Sequence, residues 1–353
     1  MGRDLPETDY LDALKLDIAQ ELCFVQGREL RSIFFGGGTP SLMSGTFYQQ
    51  LIAHIRAHIP FAVDIEITLE ANPGTTDAQR FEGYRKAGIN RLSIGVQSFH
   101  EAQLQALGRI HSGAQAHQAV AEAKRAGFDD FNLDLMHGLP GQDVASALAD
   151  IETALSLSPT HLSWYQLTIE QNTEFYSKPP ALPVDETLWD IQEKGADLLT
   201  VSGFKQYEVS AFCRPNKQAR HNLNYWQFGD YIGIGAGAHA KVSLAKGEHG
   251  LELLRYRKSR MPKDYLKPRI NFRVGEEIVG KKDIPFEFMM NALRLKDGVS
   301  EALFTERTGQ PLSILSPQLE QLRADGLLDA SRLKLSERGF MFLNSALEAW
   351  LTE

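Results

Sequence analysis

Four apolar segments of the chain each run directly into residues that could hold a ligand. The four junctions read Gly36-Gly37-Gly38-Thr39-Pro40, Glu70-Ala71-Asn72-Pro73, Gly95-Val96-Gln97-Ser98-Phe99 and Asp134-Leu135-Met136-His137-Gly138-Leu139-Pro140. Glycines leave main-chain N–H and C=O groups open to a ligand, and carboxylates accept hydrogen bonds from hydroxyl or ammonium groups. Asp134 lies between two leucines, so a position inside a barrel would bury its charge and require a partner. Singly, each junction also fits an ordinary turn or strand-end cap.

These junctions need a scaffold that brings them to one place. Strand patterns are predicted over 32–35, 64–70, 91–98, 130–136, 161–168 and 205–211. Helix patterns separate them, over 8–25, 45–58, 76–87, 100–126 with a break near 110–113, 143–157 and 185–202. This alternation predicts an α/β fold with parallel strands and right-handed crossovers. An open doubly wound sheet and a barrel both fit, and polar residues at nearly every strand end favour a barrel with one shared mouth.

The second half of the chain follows a different pattern. We predict a barrel over 1–210, an extension over 211–280 and a helical module over 281–353. The extension contains His221-Asn222-Leu223-Asn224-Tyr225-Trp226 and then a charged, poorly periodic stretch over 241–280. The last segment, with helices and a short strand over 332–335, is similar to a winged helix. Because it is not basic, a structural or docking role is favoured over DNA binding.

Composition narrows the class of protein. The 353 residues are 43% hydrophobic and 23% charged, with a net charge of -8 that argues against nucleic-acid binding. The sequence contains no apolar run long enough for a membrane span and no leader-like start, so a cytoplasmic location is expected. Its two cysteines, Cys23 and Cys213, are too few for a disulfide framework or a cysteine-rich metal site.

Together, the junctions resemble those of radical S-adenosylmethionine (SAM) proteins related to oxygen-independent coproporphyrinogen III oxidase. The resemblance covers essentially the whole chain, and the segment His221–Trp226 places it in a branch of heme chaperones. It implies a partial (β/α)6 barrel that binds SAM and a [4Fe-4S] cluster, followed by a C-terminal helical domain. It also implies SAM contacts by Gly37, Gly38, Thr39, Glu70, Gln97, Arg109, Asp134 and Thr168. Taken alone, Arg109 also fits a solvated residue at a helix end.

The sequence departs from this family at the cluster site. The family carries a Cys-x-x-x-Cys-x-x-Cys loop on its first strand, whose thiolates hold the cluster irons. This chain aligns from the helix after that loop, so we expect no bound cluster and no catalysis by the chain as written. We also expect a missing first strand, which would leave the strand over 33–35 at a sheet edge. Either a late assigned start or a truncation would explain the difference.

The resemblance assigns heme contacts to His221, Asn222, Tyr225 and Trp226, with His221 as a candidate iron ligand, since imidazole is a common heme ligand. A His-Asn turn with two packed aromatic rings is the alternative. The function implied is a chaperone that binds heme and delivers it to client hemoproteins, respiratory ones among them, with membrane contact limited to peripheral association. One alternative is a coproporphyrinogen III oxidase in porphyrin biosynthesis. Another is an enzyme that binds a phosphorylated metabolite at residues 36–39, which no phosphate-binding lysine supports.

Overall fold

The computed structural model describes residues 6–75, 78–246, 250–267 and 271–351. The chain divides into two compact units, and each is built from discontinuous segments. We call Arg31–Ile52 with Asp64–Ala219 the barrel unit. Met1–Leu30, Ala53–Val63 and Arg220–Glu353 form what we call the terminal unit. The three-part division expected from the sequence stays a prediction.

The elements follow one another in the order expected for an alternating chain. The strands are β1 (Leu30–Phe35), β2 (Phe61–Ala71), β3 (Arg91–Gln97), β4 (Phe131–His137), β5 (His161–Gln166), β6 (Lys205–Glu208), β7 (Ala211–Cys213), β8 (His239–Lys246), β9 (Gly250–Lys258) and β10 (Arg273–Ile278). The helices are α1 (Glu7–Val25), α2 (Gly45–His58), α3 (Ala78–Ala87), α4 (Glu101–Ala106), α5 (Gly113–Arg125), α6 (Val144–Ser156), α7 (Glu174–Ser177), α8 (Asp185–Val201), α9 (Arg220–Trp226), α10 (Pro262–Tyr265), α11 (Ile284–Ala292), α12 (Glu301–Thr308), α13 (Ser316–Ala324), α14 (Glu337–Met341) and α15 (Leu343–Glu348). Short 3-10 turns cover Pro40–Leu42, Pro73–Thr75 and Leu312–Ile314.

A seven-stranded sheet forms the frame of the barrel unit, in the order β1-β2-β3-β4-β5-β7-β6. Strands β2 to β5 pair in parallel, and β7 runs antiparallel to both β5 and β6. The sheet is a curled half-barrel, which confirms the predicted partial (β/α) barrel. Strand β1 lies at one edge of the sheet, the position expected for the strand over 33–35. The single strand predicted over 205–211 is instead the hairpin β6–β7.

The two faces of this sheet differ in chemistry because side chains alternate along each strand. One face is apolar and almost fully buried, with Leu69, Ile94, Leu133 and Leu162 each 0% exposed. Helices cover this face closely: a Cβ added to Gly195 of α8 would lie 2.1 Å from the ring of Trp164, the next outward residue of β5. Burying such large side chains contributes about 1.5–3 kcal/mol each. The opposite face is polar and is the inside of the half-barrel.

The terminal unit contains a three-stranded antiparallel sheet in the order β10-β9-β8. It lies in the stretch over 241–280 whose strands the sequence did not reveal. Helices α11 to α15 surround a separate apolar core that includes Phe288, Phe304, Leu315 and Trp350. The strand predicted over 332–335 is reduced, among the described residues, to single bridges at Leu333 and Leu335.

A fully buried ionic cluster connects α1 to β9 inside the terminal unit. The ammonium Nζ of Lys258 lies 2.5 Å from Asp17 Oδ1 and 2.5 Å from Glu21 Oε1, and all three side chains are 0% exposed. Tyr265 donates to Asp17 Oδ2 at 2.7 Å, and Tyr256 donates to Glu21. Each carboxylate is therefore balanced by a cation and a hydroxyl, as buried charges require.

Within the described parts of the chain, none of the helices is both long enough and apolar enough to cross a membrane.

Candidate functional site

The loop after β1 exposes its main chain at the end of the barrel sheet. Gly37 and Gly38 have φ angles of +82° and +64°, a region that L side chains rarely adopt. A Cβ at either position would meet no atom within 4 Å, so the space above them is open. Thr39 follows and precedes the 3-10 turn. The amide N–H of Gly37 donates to Glu70 Oε2 at 3.1 Å, which joins the ends of β1 and β2.

Gln97 ends β3 in a conformation that is rare for its residue type. Its φ is +68°, and the pairing register between β3 and β4 shifts at the same point. The side chain of Gln97 lies close to Gly95: a Cβ added to Gly95 would be 3.1 Å from Gln97 Nε2 and 3.3 Å from Asn72 Oδ1. Such a conformation costs about 1–3 kcal/mol and is found preferentially at functional sites. The bulge directs the Gln97 side chain inward, where Tyr165 donates to its Oε1 at 2.8 Å.

Asp134 of β4 projects from the polar inner face and is held by neighbouring strands. Ser93 donates to its Oδ2 at 3.0 Å, and Asn132 donates to its Oδ1 at 2.8 Å. Burial raises the pKa of Asp134, and hydrogen bonds from Asn132, Ser93 and Ser163 oppose that rise. A half-buried acid with this many donors satisfies the requirement for polar partners.

Glu70 of β2 is electrostatically linked to Asp134. Burial raises the pKa of Glu70, the N–H of Gly37 lowers it, and the nearby charge of Asp134 raises it further. Two carboxyl groups of the same sign therefore face one space. Such a pair attracts a cationic group, because a positive charge relieves their mutual repulsion.

Tyr165 is the residue at which the predicted site residues meet, and the sequence reasoning missed it. Burial and the charges of Asp134 and Glu70 raise the pKa of Tyr165 to about 12, while Arg109 and the hydrogen bond to Gln97 oppose the rise. Four predicted residues from different segments thus act on one hydroxyl. The signal was present in β5, because His161, Ser163 and Tyr165 alternate with Leu162 and Trp164 and so share the inner face.

Arg109 and Thr168 occupy more open positions. Arg109 follows Gly108, whose φ of +68° lets the chain turn away from α4. The main-chain N–H of Arg109 donates to Leu104 O at 2.9 Å. Its side chain is exposed, yet its charge reaches Tyr165. Thr168 lies two residues beyond β5, is exposed and donates to Glu170 at 3.3 Å. No described interaction joins Thr168 to Tyr165 or Asp134.

The segment His221–Trp226 is a short helix, α9, rather than a His-Asn turn. Trp226 packs against the apolar core of the terminal unit, with the guanidinium of Arg294 4.3 Å from its ring centroid. Tyr225 contacts Tyr231 edge to face at 4.7 Å. His221 and Tyr225 are four residues apart, so they lie on one side of the helix, and Asn222 and Trp226 share another. All four side chains are half-buried.

The inner site suits a small zwitterionic ligand that also carries hydroxyl groups. The open glycine backbone and Arg109 can bind a carboxylate, while Glu70 and Asp134 can bind cationic and hydroxyl groups. SAM has this set of groups, so the residues present fit it. Among the described residues, no group of three or more His, Cys, Asp or Glu side chains is arranged to hold a metal ion. Cys213 is buried in β7 and Cys23 is exposed on α1.

Comparison with known proteins identifies the family. Residues 13–154 match the model of the radical SAM superfamily, and residues 279–342 match the HemN C-terminal domain. The chain is 49% identical over 352 residues to the heme chaperone HemW of Escherichia coli, covering 99% of this chain and 92% of that protein. The chain belongs to the HemW family. The HemW protein of Haemophilus influenzae is 48% identical to it, over 99% of this chain and 91% of that protein. The HemW protein of Bacillus subtilis is 32% identical, over 99% of this chain and 92% of that protein.

A solved structure supports the fold of this HemW family member. Coproporphyrinogen III oxidase (HemN) of Escherichia coli, a radical SAM enzyme, superposes with a TM-score of 0.78 at 20% identity. The match covers 98% of this chain and 83% of that chain. At this identity the likeness establishes the fold, and the HemW relationship rests on the sequence comparisons.

Proposed function

We propose that this protein is a heme chaperone, which binds heme and passes it to hemoproteins. The observation that carries the proposal is the 49% identity to the heme chaperone HemW of Escherichia coli along 99% of the chain. The clients we expect are hemoproteins, respiratory ones among them. We also propose a cytoplasmic location with at most peripheral membrane contact and no nucleic-acid partner, as the net charge of -8 favours.

We propose that heme binds at α9, with His221 as the iron ligand. An imidazole nitrogen suits iron, and a half-buried position on a short helix leaves the ring a route to a ligand. Tyr225 lies one helical turn beyond His221 and offers an aromatic face on the same side. Asn222 would contact the same ligand from the neighbouring position. Trp226 packs against the unit's core, so its expected part is to fix the orientation of α9.

We propose that the inner face of the barrel unit binds SAM. Gly37, Gly38 and Thr39 would present main-chain groups to its methionyl part, and Arg109 would bind its carboxylate. Glu70, Gln97 and Asp134 would bind the ammonium, sulfonium and ribose groups. Thr168 would contribute through its main chain. In this family a [4Fe-4S] cluster would supply reductive cleavage of SAM, and the present proposal concerns the binding of SAM.

A heme titration followed at the Soret band tests the main proposal. Wild-type protein is compared with His221→Ala and with the matched control His239→Ala, which removes an exposed imidazole from the same unit. We expect the first variant to bind heme at least tenfold more weakly and the control to bind as wild type does. A second assay follows transfer of the bound heme to an apo-hemoprotein by its own Soret band.

Two results would count against the proposal. Wild type that gives no heme spectrum, or that holds heme without releasing it to an apo-hemoprotein, is not a chaperone. Loss of added coproporphyrinogen III, together with the absence of heme binding, would favour the oxidase alternative. Equal heme affinity of wild type and His221→Ala would move the heme site away from α9.

A further inference from the structure

The polar inner face of the barrel sheet contains a connected chain of hydrogen bonds behind Asp134. Tyr207 of β6 lies 2.8 Å from His161 Nε2, and His161 Nδ1 lies 2.7 Å from Asn132 Oδ1. Asn132 then reaches Asp134 Oδ1 and Ser93 Oγ, each at 2.8 Å from its amide nitrogen. Asn132 and His161 are 2% and 1% exposed, so no bulk water competes for these bonds.

The orientation of the Asn132 amide follows from one main-chain donor. The backbone N–H of Ser163 points at the Asn132 side chain at 2.9 Å and can only donate. The atom that it meets must therefore be the amide oxygen, and the amide nitrogen must face Asp134. His161 then carries a proton on Nδ1 and donates it to that oxygen, while its Nε2 lies 2.8 Å from the Tyr207 hydroxyl.

We propose that Asn132, held in this orientation by Ser163 and His161, is the positioning residue that keeps Asp134 a ligand-ready carboxylate. Asn132 donates to one oxygen of Asp134 and Ser93 donates to the other, so the carboxyl plane is fixed and each oxygen keeps acceptor capacity for a ligand. The inference rests on the proposed SAM site, and it specifies the part of the ligand that Asp134 recognises: a cationic or hydroxyl group that needs a full negative charge.

The groups that act on the charge of Asp134 come from three neighbouring strands. The charge of Glu70 on β2 interacts unfavourably with it, and that of Arg91 on β3 interacts favourably, while Tyr165 on β5, with a pKa raised to about 12, stays neutral beside it. Because burial already raises the pKa of Asp134, the donors from Asn132, Ser93 and Ser163 are what favour its charged form. Removing the Asn132 donor should therefore shift protonation as well as geometry.

Asn132→Asp is the sharpest perturbation, because it is isosteric and places an oxygen where the amide donor stood. The two carboxyl groups must then share a proton. We expect SAM affinity near neutral pH to fall by more than about 30-fold and to recover as the pH rises, because Asp134 regains its charge only above its raised pKa. His161→Phe should weaken binding by about 10-fold or less, because Ser163 still orients the amide.

The control is His137→Phe, which removes another buried imidazole from the same strand as Asn132 but from the apolar face, where it contacts Trp164 at 4.3 Å. It should leave the SAM affinity and its pH profile unchanged. An Asn132→Asp variant with wild-type affinity, or with a loss that is constant between pH 6 and 9, would overturn the proposal, since a purely structural role predicts a constant loss.

A second measurement tests the positioning role of Asn132 without SAM. The carboxyl carbon of Asp134, assigned with Asp134→Asn, is titrated by NMR in ¹³C-aspartate protein. Its pKa should rise by about one pH unit or more in Asn132→Asp relative to wild type. An unchanged titration would refute the positioning role. Failure of wild type to bind SAM, with a shifted titration in the variant, would instead refute the proposed SAM site alone.

Discussion

Lys258→Met should destabilise the terminal unit more than any surface change, because it leaves two buried carboxylates with too little positive charge. Asp17 and Glu21 each lie 2.5 Å from the Lys258 ammonium, and all three side chains are 0% exposed. In the part of the chain that the structure describes, a second cation near the cluster is Arg273, whose Nε is 3.7 Å from Glu21 Oε1. Removing one partner of a buried ion pair costs about 3–5 kcal/mol. This is a large share of the roughly 5–15 kcal/mol that stabilises a typical domain.

Urea unfolding followed by far-UV circular dichroism measures this loss. The matched control is Lys15→Met, which removes a partly exposed lysine 3.3 Å from Asp12 on the same helix. Exposed pairs contribute about 0–1 kcal/mol, so the control should unfold nearly as wild type does. Lys258→Met with Glu21→Gln should recover part of the loss, because one uncompensated charge is removed with the cation.

If Lys258→Met unfolds at the same urea concentration as Lys15→Met, then the cluster does not carry the charge balance that its geometry indicates.

Two further predictions concern the binding sites. Tyr165→Phe removes the donor to Gln97 Oε1 and should weaken SAM binding by about 1 kcal/mol in calorimetry. Because the pKa of Tyr165 is raised to about 12, the hydroxyl stays protonated and the loss of affinity should be the same at pH 6 and pH 9. A loss of affinity that changes with pH would contradict this reasoning. Gly229→Ala places a Cβ 2.0 Å from Asn224 Oδ1 at the end of α9. Its heme affinity in the Soret titration should fall toward that of His221→Ala and recover partly when Asn224→Ala is added, whereas wild-type affinity would show that α9 tolerates the change.

The alternating half of the fold was predictable because its signals are local. The helix expected over 45–58 is α2, and each strand from β1 to β5 lies within a few residues of its predicted range. Short connections between parallel strands leave few topologies, so we expected polar strand ends to share one edge. The fold comparison confirms the predicted partial barrel, and the individual ligand contacts stay predictions.

The sheet β8–β10 could not be read from the sequence because its signal is carried by pairs far apart in the chain. Lys241 and Lys258 are each 2% exposed, although lysine usually marks a solvent-facing position. Their partners are Asp230 for the first and Asp17 with Glu21 for the second. The place of Tyr165 in the site was not predicted for a related reason. A tyrosine in an apolar strand indicates core packing, and its hydroxyl partner Gln97 is distant in the sequence.

The ionic cluster around Lys258 also bears on the order in which this protein matures on the ribosome. Helix α1 is synthesised well before β9, so its buried carboxylates Asp17 and Glu21 have no Lys258 to pair with until 241 and 237 further residues have been added. The barrel unit, by contrast, is complete once Ala219 has been added. Vectorial synthesis therefore releases the barrel unit ready to fold while the amphipathic α1 stays tethered and exposed to chaperones and proteases. Nascent-chain cleavage within α1 should persist until β9 has left the exit tunnel.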